Sequence, residues 1–162
     1  MGRVVPLKTL IRHRNALRKK GKTFVFTNGT FDILHRGHVD YLMQARKCGD
    51  ALAVGLNTDA SIRRIKGEGR PINRERDRAA VLAALGAVDF VCLFPDDTPE
   101  RIISLLKPDV LVKGADWKMN EIVGRDIVEQ YGGRVRRIRL TRGRSTSELI
   151  NRIVKRSAGL RR

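Results

Sequence analysis

The apolar residues of this chain fall into short runs that alternate with stretches of helical spacing. Thr23–Thr27 (TFVFT), Ala51–Leu56 (ALAVGL), Asp89–Phe94 and Asp109–Lys113 are compact, β-rich runs, and Arg134–Leu140 reads as a fifth strand. Tyr41, Leu42, Ala45 and Cys48 share one side of a helix over His38–Cys48. Further helices are predicted over Asp59–Ile65, Arg74–Leu85, Thr98–Leu106, Glu121–Tyr131 and Ser145–Lys155. Thr98 is placed to cap its helix ahead of Pro99 in the first turn. Short apolar strands separated by helices predict a three-layer α/β sandwich, with a five-stranded, mostly parallel sheet covered on both faces. In such sheets ligands bind beyond the carboxyl ends of the strands. The polar residues that need explaining collect there: Asn28–His38, Asn57–Asp59, Gly114–Trp117 and Thr141–Ser147 each follow a predicted strand.

A length of 162 residues predicts one domain over 1–162, large enough to bury a core without a disulfide or metal staple. No run approaches the roughly 18 apolar residues of a membrane span. The opening residues lack the apolar run of a signal peptide. Cys48 and Cys92 have no metal-like spacing and read as reduced structural thiols, which suits a cytoplasmic protein. The formal net charge of +17 is unevenly spread. Residues 1–22 carry eight Lys or Arg and no acid, and residues 134–162 carry eleven against one acid, Glu148. The segment between them is nearly balanced, so the chain reads as an ordinary domain with basic extensions at 1–22 and 156–162. Three readings of these ends stay open: a solvated basic surface, a grip on polyanionic substrates, or binding to nucleic acid or anionic membrane. The few aromatic residues are not interleaved with the basic clusters, so a base-stacking surface is not indicated.

The strongest chemical signal is the turn Gly29-Thr30-Phe31-Asp32-Ile33-Leu34-His35-Arg36-Gly37-His38. It leaves a buried strand and enters a helix. His35 and His38, three apart, can share one side of the helix start, near its positive end. Gly37 between them leaves room for a phosphate to approach the backbone. Two imidazoles aimed at one point suit an oxyanion that gains charge in a transition state. Two histidines without a third ligand make an incomplete zinc site, and no protein metal ligand is expected. Ser145, Thr146 and Ser147, preceded by Arg142 and Arg144, combine hydroxyls, guanidinium groups and a helix start into a polyphosphate site, or else cap that helix through Ser145 and Glu148. Lys66-Gly67-Glu68-Gly69-Arg70-Pro71 reads either as a solvated turn or as a lid that closes on phosphate. Trp117 is open between core packing and a pocket, and Asp32 between a helix cap and a binding role.

Gly29–His38 resembles the GTFDxxHxGH signature of the cytidylyltransferase-like nucleotidyltransferases. Four further blocks are similar to one subfamily, D-glycero-β-D-manno-heptose 1-phosphate adenylyltransferase, which occurs alone or fused to a sugar kinase. They are Val54–Ser61 (VGLNTDAS), Lys66–Asn73 (KGEGRPIN) running on to Asp77–Leu85 (DRAAVLAAL), Pro108–Trp117 (PDVLVKGADW) and Arg144–Ser147 (RSTS). The likeness runs from about Thr23 to Ile153. It implies a Rossmann-like fold and transfer of AMP from ATP to a sugar 1-phosphate, with release of pyrophosphate. His35, His38 and Lys66 would be catalytic, neutralising the triphosphate and its transition state. Thr30, Phe31, Asp32 and Gly37 would lie beside the same phosphates, and Asn57, Asp59 and Arg78 near the substrates. Lys113, Gly114, Asp116 and Trp117 would line the nucleotide pocket, and Arg142, Ser145, Thr146 and Ser147 would grip phosphates. Relatives often read Ser-Thr-Thr where this chain has Ser145-Thr146-Ser147, and some carry an arginine where it has Leu140, a place Arg142 would fill. The resemblance also implies a homodimer; Mg²⁺ is expected on the substrate phosphates, and the intact His35, His38, Lys66 and Ser145–Ser147 argue against a nucleic-acid partner. Two alternatives stand beside it: the same chemistry on another acceptor, as in glycerol-3-phosphate cytidylyltransferase or FAD synthetase, and a basic nucleic-acid-binding protein on a degenerate scaffold.

Overall fold

The computed structural model describes residues 1–139 and 146–159. Its strands are β1 (Arg3–Val4), β2 (Phe24–Gly29), β3 (Ala51–Asn57), β4 (Phe90–Phe94), β5 (Val110–Gly114) and β6 (Arg134–Ile138). They form one sheet in the order β1-β4-β3-β2-β5-β6, parallel at every pairing. The helices are α1 (Leu7–Lys19), α2 (Arg36–Arg46), α3 (Asp59–Lys66), α4 (Glu75–Ala84), α5 (Glu100–Leu106), α6 (Arg125–Gln130) and α7 (Thr146–Gly159). Among the described residues, no helix is long and apolar enough to cross a membrane.

Strand alternation divides the core. Val25, Val54, Val91, Val110 and Val112 pack with Leu42 of α2 and Leu82 of α4 on one face. Phe24, Phe26, Ala53, Phe90 and Leu111 pack with Leu10 of α1, Ile103 of α5 and Val128 of α6 on the other. Each such buried Leu, Val or Phe side chain contributes about 1.5–3 kcal/mol. At the amino ends, three aspartates tie neighbouring strands. Asp50 accepts from the Thr23 amide, Asp89 from the Leu52 amide and Asp109 from the Phe24 amide, each at 2.8 Å. These contacts use up acids that the sequence leaves unexplained, at the end of the sheet away from the strands' carboxyl ends.

The sheet has six strands where five were expected, because the chain start is folded rather than appended. β1 pairs with β4, and a Cβ on Gly2 would lie 2.3 Å from the Val88 carbonyl, so only glycine admits this approach. Leu10 is fully buried in α1. Part of the basic charge of 1–22 also serves the fold. Arg14 is buried and donates to the Lys107 carbonyl, Arg18 pairs with Asp109 at 3.6 Å, and Lys22 pairs with Asp50 at 3.0 Å.

Two helix starts differ from expectation. α5 begins at Glu100 with Pro99 at its cap position and no side-chain cap bond, so Thr98 caps nothing; it lines the cavity described below. α6 begins at Arg125 rather than near Glu121, after a short 3₁₀ turn over Met119–Glu121. Gly124 enforces the delay: its φ is +86°, and a Cβ there would meet Ile103 Cδ1 at 2.5 Å. At the other end of the chain α7 runs past Lys155 to Gly159. Cys48 and Cys92 are both free thiols, and burial pushes the Cys92 thiol up to about 11.

β3 and β4 lie on one side of β2, and β5 and β6 on the other. The winding therefore reverses between β2 and β5, and the crevice beyond their carboxyl ends is where such sheets take ligands.

Candidate active site

β2 ends at Gly29, and the chain turns through Thr30–His35 before α2 starts at Arg36. The turn is strained: Phe31 has φ +41°, a left-handed conformation costing about 1–3 kcal/mol in a non-glycine residue. The strain is met by burial of the Phe31 ring, which tilts against His38 with centroids 5.1 Å apart. His35 is the cap residue of α2, and its ring stacks on that of His38 at 3.8 Å and 21°. Both rings line a cavity of about 600 Å³ over the β2–β5 crevice. The positive end of α2 points the same way.

This geometry favours an anion. Burial, then His35, then Lys66 push His38 down to about 4 from an ordinary 6.5, and its Nδ1 is buried with no partner among the described residues. The ligand-free ring is thus neutral at pH 7. For the fold alone, the unfolded chain takes up the extra proton between about pH 6.5 and 4, so stability falls as pH falls through that window. A bound triphosphate reverses the bias, because a neighbouring anion favours imidazolium. ATP should therefore bind more tightly as pH falls from 7 to 5, with proton uptake. Calorimetry at pH 6 in two buffers of different ionisation enthalpy checks this; zero uptake would mean that His38 meets the ligand as a neutral donor.

Lys66, at the end of α3, reaches the same turn and donates to Thr30 Oγ1 at 3.2 Å. Partial burial, then Arg70, lower its pKa, while Asp32 opposes them. The cavity wall continues through Phe31, Gly37 and Asn57, then Lys113 and Gly114 at the end of β5, Asp116 and Trp117 after it, and Thr146 and Ser147 at the start of α7. Thr146 Oγ1 donates to the Ile33 carbonyl at 3.4 Å, which ties α7 to the turn. Trp117 is 50% exposed, so it belongs to the cavity rim and not to the core.

Three expected site residues stand behind the wall instead of in it. Asp32 is 5% exposed and accepts from the Ile72 and Asn73 amides at 2.8 and 2.9 Å and from Arg70 Nη1 at 2.8 Å. Burial works to raise its pKa, but the Asn73 and Ile72 amides and Arg70 outweigh it and hold the carboxyl below its usual range. It anchors the segment that follows Lys66 and does not cap α2. Arg78, whose side chain is fully buried, pairs with the partly buried Asp59 at 2.7 Å and also donates to the Thr30, Asn57 and Asn73 carbonyls. Arg142 and Ser145 lie outside the described residues, as do Leu140 and Arg144 and the Ser145 side of the capping box.

Asn28, noted from sequence only as the start of the polar stretch after its strand, and Asp97, Thr98 and Glu121, not expected in the site, all line the cavity. Asn28 was legible as the polar residue that ends an apolar strand. The other three gave no signal, because loops from separate strands bring them together.

Comparison with known proteins shows the family and the fold. The family profile described as cytidylyltransferase-like matches residues 26–152. The bifunctional protein HldE of Syntrophotalea carbinolica is 56% identical over 139 residues, covering 86% of this chain and 28% of that protein. HldE of Campylobacter concisus is 55% identical over 148 residues, covering 91% of this chain and 30% of that protein. The chain thus spans less than a third of the length of these curated relatives. Among solved structures, the lipopolysaccharide core biosynthesis protein of Thermoplasma volcanium is 32% identical with a TM-score of 0.61, covering 75% of this chain and 98% of that one. The pantoate-β-alanine ligase of Francisella tularensis, solved with β-γ ATP and β-alanine, has a TM-score of 0.63 over 91% of this chain and 69% of that one. At 16% identity it speaks for the Rossmann-like fold alone.

Proposed function

The chain belongs to the cytidylyltransferase-like family of nucleotidyltransferases, and we propose that it transfers AMP from ATP to D-glycero-β-D-manno-heptose 1-phosphate in lipopolysaccharide biosynthesis. The observation that carries the reading is the stacked His35–His38 pair in a cavity that also holds Lys66 and the start of α7. An oxygen of the sugar phosphate attacks the α-phosphorus of ATP. A new P–O bond forms, the bond to the β-phosphate oxygen breaks, and pyrophosphate leaves with the electron pair. The attacking phosphate is already ionised near pH 7, so no strong general base is needed. The residues supply position and charge: His35, His38 and Lys66 face the negative charge that grows on the transferred and leaving phosphates. Asp97, Asp116 and Glu121 line the same cavity and can accept hydrogen bonds from the hydroxyls of a sugar.

Among the described residues, no group of three or more His, Cys, Asp or Glu could hold an ion. Mg²⁺ would arrive on the triphosphate and neutralise part of its charge. The reading extends to a cytoplasmic homodimer without a nucleic-acid partner.

A matrix of nucleotides against phosphorylated acceptors, read by pyrophosphate release, tests the proposal. ATP with the heptose 1-phosphate should exceed CTP with glycerol 3-phosphate and ATP with FMN. Faster turnover of either other pair reassigns the acceptor, and silence across the matrix removes the enzyme reading.

A further inference from the structure

Lys113, next to last in β5, is a cation in the cavity wall with little to neutralise it. Among the described residues its ammonium has one hydrogen-bond partner, the neutral amide oxygen of Asn28 on β2, and no carboxylate forms an ion pair with it. Burial pushes its pKa down to about 8, and Asp116, in the loop after β5, opposes this from further off. A part-buried ammonium held only by an amide is costly unless a ligand completes its shell. A phosphate oxygen is the anion this cavity is built to receive.

Strand alternation separates Lys113 from the histidines. Val110 and Val112 face α2, the helix that carries the histidine pair, whereas Leu111 faces α1, α5 and α6. Lys113 follows Leu111 onto that second face, as Asn28 follows Phe24 and Phe26. The cavity wall beyond that face is made by Thr98, Pro99, Ile122 and Val123, with Asp97 and Glu121 nearby. In-line displacement puts the attacking oxygen and the leaving oxygen on opposite sides of the α-phosphorus. The cation for the attacking phosphate must then stand apart from those that hold the leaving pyrophosphate.

We infer that Lys113, fixed by Asn28, binds the phosphate of the acceptor, while the set around His35, His38 and Lys66 binds the triphosphate. This deepens the reading of the site given above and rests on it. The pair becomes a device for acceptor selection: an acceptor without a phosphate at the attacking end leaves the ammonium unpaired.

The test uses the full chain, ATP, and D-glycero-β-D-manno-heptose 1-phosphate as the acceptor probe. In Lys113→Met the acceptor KM should rise roughly 10- to 100-fold, the loss of one charge-assisted contact. The ATP KM should stay within about twofold, since that binding is untouched. The melting temperature of the ligand-free protein should not fall, because a desolvated ammonium has given way to an apolar chain. Asn28→Asp gives the ammonium a carboxylate of its own and should also raise the acceptor KM, again with the fold kept. An unchanged acceptor KM in Lys113→Met, or a loss confined to the ATP KM, overturns the assignment. Calorimetric titration of the heptose 1-phosphate into wild-type and Lys113→Met protein reads the same contrast without turnover. A silent wild-type assay with Lys113-dependent acceptor binding counts against adenylyl transfer and supports the assignment; binding indifferent to Lys113 overturns it.

Discussion

Replacing His35 or His38 with alanine is expected to lower turnover by roughly two to three powers of ten, the loss of one preorganised oxyanion donor. The two rings act as a unit, because they stack at 3.8 Å over the same cavity and His35 helps to hold the pKa of His38 down. The double alanine variant should therefore lose little more than the worse single variant, as groups that share one task do. Neither ring is a pillar of the core, so the variants should fold, and circular dichroism would separate a lost donor from a lost fold. Pyrophosphate release under saturating substrates is the measurement. Unchanged turnover in both single variants would take the histidines out of the mechanism, whatever the family resemblance says.

The Gly29–His38 turn was legible from sequence because its function is local. A strand end, a tight turn and a helix start place the two imidazoles with no help from the rest of the chain. The same locality explains why five strands and their intervening helices were readable from apolar spacing. The chain start was not. β1 is two residues long, too short for any period to register, and the eight cations of residues 1–22 masked the Leu10 anchor of α1. Nor could the sequence say that Arg14 is buried, since that depends on a carbonyl 93 residues away. Asp32 shows the same limit from the other side. Its place in the signature points to phosphate, but its carboxylate turns back to hold amides of the 70–73 segment, and only the folded loop decides between those uses. The contact of Lys113 with Asn28 spans 85 residues and exists only because β5 lies beside β2, after the winding has reversed.

Arg78 carries the second large effect, and it is one of stability more than chemistry. Its side chain is fully buried, and its one guanidinium joins four places: the Thr30 carbonyl at 2.6 Å, the Asn57 carbonyl at 2.9 Å, Asp59 Oδ1 at 2.7 Å and the Asn73 carbonyl at 3.0 Å. These are the exit of β2, the end of β3, the start of α3 and the segment before α4, and of the four residues Thr30 and Asn57 line the cavity. Arg78→Ala leaves the mostly buried Asp59 carboxylate without its counter-charge and three carbonyls without a donor. Breaking a buried pair from one side costs about 3–5 kcal/mol. For a domain of this size that corresponds to a fall in melting temperature of roughly 10–15 °C. Arg78→Lys keeps the charge but not the planar fork, so it should fall between the two. Removing Asp59 as well takes away the stranded charge, and the double variant should be less destabilised than the two single losses added together. Activity should fall with stability, because Thr30 and Asn57 lose their common brace, even though Arg78 does not line the cavity. Thermal melts of the four variants, the Asp59 single loss included, with ATP binding measured well below each transition, separate this account from direct contact. A normal melting temperature with lost ATP affinity would make Arg78 a ligand-binding group; a low melting temperature with nearly normal affinity in the cold would make it the brace that the hydrogen bonds describe.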